Sequence, residues 1–253
     1  IARFATVMMK RHPHSRVSGG FVLRVAETQL ELQNYQEALA LAQKAMTLGL
    51  TGEKRAEALW VKGSSYHKQM DLKAARSTFL RLIAEFPKGR LTEGARRLLA
   101  LTAEDEGDLE TALEQYLALN YEYDVAYYVD VLLPTERLAS FVNARKDHPQ
   151  HDYLLYALGV RYMRDKRWDD ARATLRQVRT ETVPPIESNY YGKNREVIFA
   201  KEPDWDERTV LKTSWVMQDL KSIDALEHLE KAVETAPDDE AKAEAMYQLA
   251  SYQ

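Results

Sequence analysis

The chain has 253 residues, of which 45% are hydrophobic and 29% charged, an ordinary balance for a helical protein with a sizeable core. A formal net charge of -4, with Lys and Arg interleaved among Asp and Glu, argues against the basic stripe of a general nucleic-acid surface. Ten Gly and eight Pro are too few for a turn-rich all-β fold. The absence of cysteine excludes disulfides, thiol nucleophiles and Cys-based metal sites. No run reaches the roughly 18 to 20 apolar residues that a transmembrane helix needs.

In chain order, Phe4, Met8 and Pro13 read as the tail of a preceding second helix, and Ser18-Gly19-Gly20 reads as an inter-helix turn. A small residue then recurs in what the spacing predicts to be the second helix of successive helix pairs: Ala38, Ala75, Ala112, Ala171 and Ala225. The first two gaps are 37 residues each. A degenerate unit, with Arg137 at the marker position and Phe141, Ala144 and Pro149 after it, fills the longer gap of 59 before Ala171. Ala74, Ala75, Phe79, Leu82, Ile83 and Phe86 follow the 3-4 spacing of an amphipathic helix. Pro87, Pro149 and Pro237 stand where helices must stop. Met70-Asp71 and Gly107-Asp108 are placed to turn the chain and cap the next helix, and Pro134-Thr135-Glu136 reads as a helix start.

This pattern divides the chain into 1–16 as the end of a preceding repeat, 17–50, 51–88 and 89–120 as repeats, and 121–150 as a shortened, degenerate repeat. Residues 151–180 are a further repeat, 181–204 an irregular insertion, 205–237 a repeat, and 238–253 the first helix of a truncated one. Both ends thus read as cuts through a longer array. In the insertion, Pro184-Pro185, Asn189-Tyr190-Tyr191-Gly192 and Pro203 deny a continuous helix, while Ile186, Val197, Ile198 and Phe199 predict an ordered loop.

The stretches Leu59-x2-Lys62-Gly63-x2-Tyr66…Ala75-x3-Phe79…Pro87 and Leu155-x2-Leu158-Gly159-x2-Tyr162…Ala171-x3-Leu175 resemble the tetratricopeptide repeat (TPR) family. Lys62, Ala26 and Ala100 depart from that pattern, in which position 62 is apolar and positions 26 and 100 are Gly. The resemblance implies an all-α fold, a right-handed α-α superhelical solenoid of helix pairs, and a non-catalytic scaffold that binds protein or peptide partners. The endings Phe86-Pro87-Lys88-Gly89-Arg90 and His148-Pro149-Gln150-His151-Asp152 are similar to those of bacterial cell-envelope TPR proteins. Examples are the lipoprotein of the outer-membrane β-barrel assembly complex and the Tol-Pal cell-division coordinator. That likeness implies a multiprotein complex in the bacterial periplasm or envelope. The alternative is a structural or regulatory arm of a larger multidomain protein or cytosolic machine.

By the same resemblance the first helix of each pair lines the binding groove, which points to Trp60, Ser64, His67, Lys68, Arg97, Tyr153, Tyr156 and Arg164. Leu23, Glu27, Leu101, Glu104 and Met163 share that register. Two irregular segments add Tyr121 and Tyr123 in a tyrosine-rich stretch, and Tyr190 and Tyr191 in the insertion, since tyrosine buries area while keeping a polar handle. The competing expectation is that Tyr116 and some of Tyr121, Tyr127 and Tyr128 pack between helices of the shortened unit. His12-Pro13-His14 and His148-x2-His151 lack helical ligand spacing and read as turn residues rather than a metal site. Paired acids at helix ends read as caps. No phosphate-binding loop, nucleophile elbow or dinucleotide turn occurs, so neither a cofactor nor an enzymatic role is expected.

Overall fold

A computed structural model describes residues 7, 11, 12, 16–179 and 215–252; the insertion 181–204, with Tyr190 and Tyr191, and nearly all of 1–15 lie outside the described residues. The described residues hold twelve α-helices and no strand, so the fold is all-α. They fall into two compact units, Ile1–Tyr128 and Val129–Gln253.

The first unit contains α1 (Arg16–Glu31), α2 (Tyr35–Thr47), α3 (Gly52–Lys68), α4 (Leu72–Glu85), α5 (Thr92–Glu106), α6 (Leu109–Leu119) and the short α7 (Glu122–Tyr127). Within this unit, helices adjacent in sequence pack on one another. The first helices of adjoining pairs also touch, α1 with α3 and α3 with α5. This nearest-neighbour packing is that of a solenoid of the TPR type, in which each pair is covered by the next.

The marker residues explain the close approach of paired helices. Ala38, Ala75, Ala112 and Ala171 are fully buried. Gly63 faces Phe79 so closely that a Cβ would lie 2.6 Å from the ring. Gly159 faces Leu175 in the same way, at 2.5 Å. In both cases a bare backbone makes room for a large side chain sixteen residues later. At the corresponding position Ala26 is followed, sixteen residues on, by Ala42, and both are fully buried. A small residue opposite leaves room for the extra methyl. Lys62, where an apolar residue is expected, lays its stem beside Tyr66, its ammonium 5.7 Å from the ring centre, and donates to Gln43 Oε1 on α2 at 2.8 Å.

The turn inside each regular pair is also repeated. Gln33, Met70, Gly107 and Lys166 adopt positive φ (63°, 59°, 75° and 56°), and each stands five residues before its marker alanine. Only one of the four is glycine, so three turns hold a side chain in left-handed backbone, which costs roughly 1–2 kcal/mol each. Asp71 and Asp108 follow two of these turns as predicted, accepting from the N–H of Ala74 at 3.3 Å and of Thr111 at 3.1 Å. The endings also repeat: the N–H of Gly89 donates to Phe86 O and that of His151 to His148 O, both at 2.9 Å.

The second unit begins in a π-helical turn, Tyr128–Leu132, whose first residue closes the first unit. It continues with α8 (Thr135–Asn143, directly after Pro134), α9 (His151–Arg164), α10 (Trp168–Leu175), α11 (Trp215–Glu234) and α12 (Asp239–Tyr252). The shortened repeat has no left-handed turn five residues before Arg137, because that position, Leu132, is still in the π turn. Likewise α11 runs unbroken from ten residues before Ala225, so no turn precedes that marker. Charge ties α11 to α10: Arg172 pairs with Asp224 at 3.1 Å and with Glu227, and Trp168 Nε1 donates to Glu230 at 3.0 Å.

Candidate protein-binding surfaces

The face shared by α3 and α5 is built from residues one repeat apart. Trp60 lies against Gly94, where an added Cβ would come within 3.1 Å of the indole, and it tilts over Phe79 with ring centres 6.2 Å apart. One further turn along, Ser64 is 8% exposed, and its Oγ is buried without a hydrogen-bond partner among the described residues. The next turn brings His67 to Thr102, Nδ1 to Oγ1 at 3.1 Å. Thr102 donates to the carbonyl of Leu98 at 2.6 Å, so the ring N–H is the donor in the His67 contact. Burial lowers the pKa of His67 below the usual imidazole range, against an opposing pull from Asp105 and with a smaller push from Lys68. Lys68 and Arg97 are exposed, and neither makes an ion pair among the described residues.

The groove candidates therefore separate by burial. Trp60 and His67 are half-buried and join adjoining repeats, Ser64 is interior, and Lys68 and Arg97 are exposed. In the second unit Tyr156 is buried at 8% exposure and Tyr153 is half-buried. Arg164 is exposed but pairs with Asp130 at 3.2 Å, while Arg161 donates to the Asp130 carbonyl at 2.6 Å, so α9 holds the π turn.

The tyrosine-rich stretch also separates. Tyr116 and Tyr128 are buried, and both hydroxyls donate to one carboxylate oxygen of Glu104, at 2.9 and 2.7 Å. Desolvation, then the Glu104 charge, pushes both phenols well above their ordinary pKa. Tyr121 is half-buried and stacks on Tyr116, with ring centres 6.2 Å apart at 24°. Tyr123 and Tyr127 point outward, 77% and 53% exposed. Packing accounts for Tyr116 and Tyr128 and does not account for Tyr123. The exposure of Tyr127 went unread in the sequence; its place four residues after Tyr123 on one helix face was the available signal.

No group of three or more His, Asp and Glu among the described residues could hold a metal ion. His148 Nδ1 accepts from the N–H of Gln150 at 3.1 Å, which makes that imidazole part of the turn. No helix among the described residues is long and apolar enough to cross a membrane.

Residues 23–90 match the tetratricopeptide repeat family model. The matched segment runs from within α1 through α4 and so includes the Gly63–Phe79 pair and two of the left-handed turns. TPR repeats generally mediate protein–protein interaction, and the family is of a non-catalytic scaffold type. No curated protein matches the chain.

Proposed function

We propose that this protein is a non-catalytic TPR scaffold that binds a protein or peptide partner across the α3–α5 face. The observation that carries this reading is the exposure of two cations, Lys68 and Arg97, without an ion pair among the described residues, on the helices that carry the half-buried Trp60 and His67 or pack against them. Rigid aromatic area next to unneutralised charge suits recognition of a polypeptide bearing acidic groups. Protein is favoured over nucleic acid because the neighbouring arginines are already engaged. Arg76 pairs with Glu106 and Asp108, Arg81 with Glu85, and Arg90 with Glu53 and Glu57. Membership of a bacterial envelope complex rests on the cysteine-free composition and on the Phe86-Pro87 and His148-Pro149 endings.

The test is co-purification from the source cells with Lys68→Glu/Arg97→Glu, against Lys44→Glu/Lys88→Glu as a surface control. Loss of a captured protein with the first pair alone supports the reading. Retention of every captured protein overturns it. Fractionation of the source cells tests the envelope placement, which recovery in the cytosolic fraction alone would end.

A further inference from the structure

Helix α7 leaves an aromatic face uncovered: Tyr123 and Tyr127 stand four residues apart on one side, 77% and 53% exposed. The sequence around it carries charge of one sign. Between Arg97 and Arg137 the chain has no Lys, Arg or His, but ten Asp and Glu, although the rest of the chain is net basic. Eight of those carboxylates belong to the first unit.

Some are internally committed. Glu106 and Asp108 hold Arg76, and one oxygen of Glu104 takes the hydroxyls of Tyr116 and Tyr128. Asp105, Glu122 and Asp124 are exposed and make no side-chain hydrogen bond or ion pair among the described residues. Glu122 and Asp124 flank Tyr123 directly, and Asp124 lies near enough to Tyr116 and Tyr128 to add to the upward push on both phenols. Exposed rings set among unpaired carboxylates form a surface that ammonium and guanidinium groups satisfy twice, by stacking over the ring and by pairing with the acid.

We propose that the α7 face docks a Lys/Arg-rich segment of a partner protein. The occupant is fixed by charge: a neutral or acidic segment would leave the carboxylates unpaired and repelled. This goes beyond the α3–α5 reading and does not depend on it, since it concerns another helix and a ligand of opposite charge.

The experiment is a fluorescence-anisotropy titration of the full chain with a labelled peptide of alternating Arg and Leu. A Glu/Leu peptide serves as control, and both are run at low and high salt. Binding of the basic peptide, weakened by salt, is expected. Tyr123→Ser/Tyr127→Ser should weaken it about tenfold, the scale of an aromatic anchor pair. Glu122→Gln/Asp124→Asn should flatten the salt dependence. Circular dichroism should show all variants folded, because none of these side chains is buried. Equal binding of the two peptides, or unchanged affinity in the tyrosine variant, overturns the proposal. Self-association of the wild type that the tyrosine variant abolishes also overturns it, because the occupant would then be a second copy. Capture of a protein through Lys68 and Arg97 has a separate readout, so either reading can fail alone.

Discussion

The α3–α4 pair and the segment from α7 into the π turn both have to hold a helix against its neighbours, and they use different means. In the first, fit is by shape: Gly63 gives up its side chain so that the fully buried Phe79 ring can lie on the backbone. A left-handed turn at Met70 and the Asp71 cap then fix where the second helix starts. In the second there is no such turn, and the anchor is polar, with two phenol hydroxyls on one oxygen of Glu104. The contrast teaches that a repeat can lose its turn and keep its place if a charged acceptor replaces the shape match. A helix held from one side by a polar anchor also leaves its other side, Tyr123 and Tyr127, unused by the fold.

The largest expected effect breaks the shape-matched side. Phe79→Ala should cost about 3–5 kcal/mol in chemical denaturation, because a ring is removed from a site that cannot collapse onto Gly63. A loss as small as that of an exposed residue such as Leu80→Ala would refute the shape account. Next, Glu104→Ala strands two partly buried hydroxyls and should cost on the order of 2 kcal/mol. A change no greater than that of Glu122→Ala would show that the anchor contributes nothing.

Met70→Gly should stabilise the protein by about 1 kcal/mol, since glycine carries no penalty at φ 59°. Leu132→Gly, in the π turn, should have the opposite sign, and melting both variants side by side checks it. The smallest effect is in acid. Hydrogen bonds from Arg55, then from Arg81, hold the Glu85 carboxyl down to about 2, so the unfolded chain takes up its proton first. That contribution is present above pH 4.5 and is lost as pH falls from there toward 2. With the Arg55 and Glu85 side chains 27% and 31% exposed, solvent limits it to about 1 kcal/mol or less. Glu85→Gln should flatten the acid limb of the stability curve by that amount.

Spacing carried most of the architecture. The marker alanines, Gly63, Gly159 and the Asp caps could be read because helix pairing imposes a fixed distance along the chain between residues that meet. The surface was less readable. A residue's place around a helix gives its direction but not how deeply the next repeat covers it. For this reason Ser64 and Tyr156, in register with exposed neighbours, are interior. Tyr116 and Tyr128 look like their exposed counterparts in sequence because only the fold brings Glu104 to them, from twelve and twenty-four residues away. The run without a basic residue from 98 to 136 was in plain view, but balanced overall composition masked it.

The shared Glu104 acceptor also has an optical consequence. In alkali, ionised phenols absorb at longer wavelength, and Tyr116 and Tyr128, desolvated and beside the Glu104 carboxylate, resist that ionisation while the first unit is closed. Their late colour change would therefore follow the opening of the α5–α7 region rather than the pH alone. The folded protein carries a built-in chromophore for that event, and it needs no label.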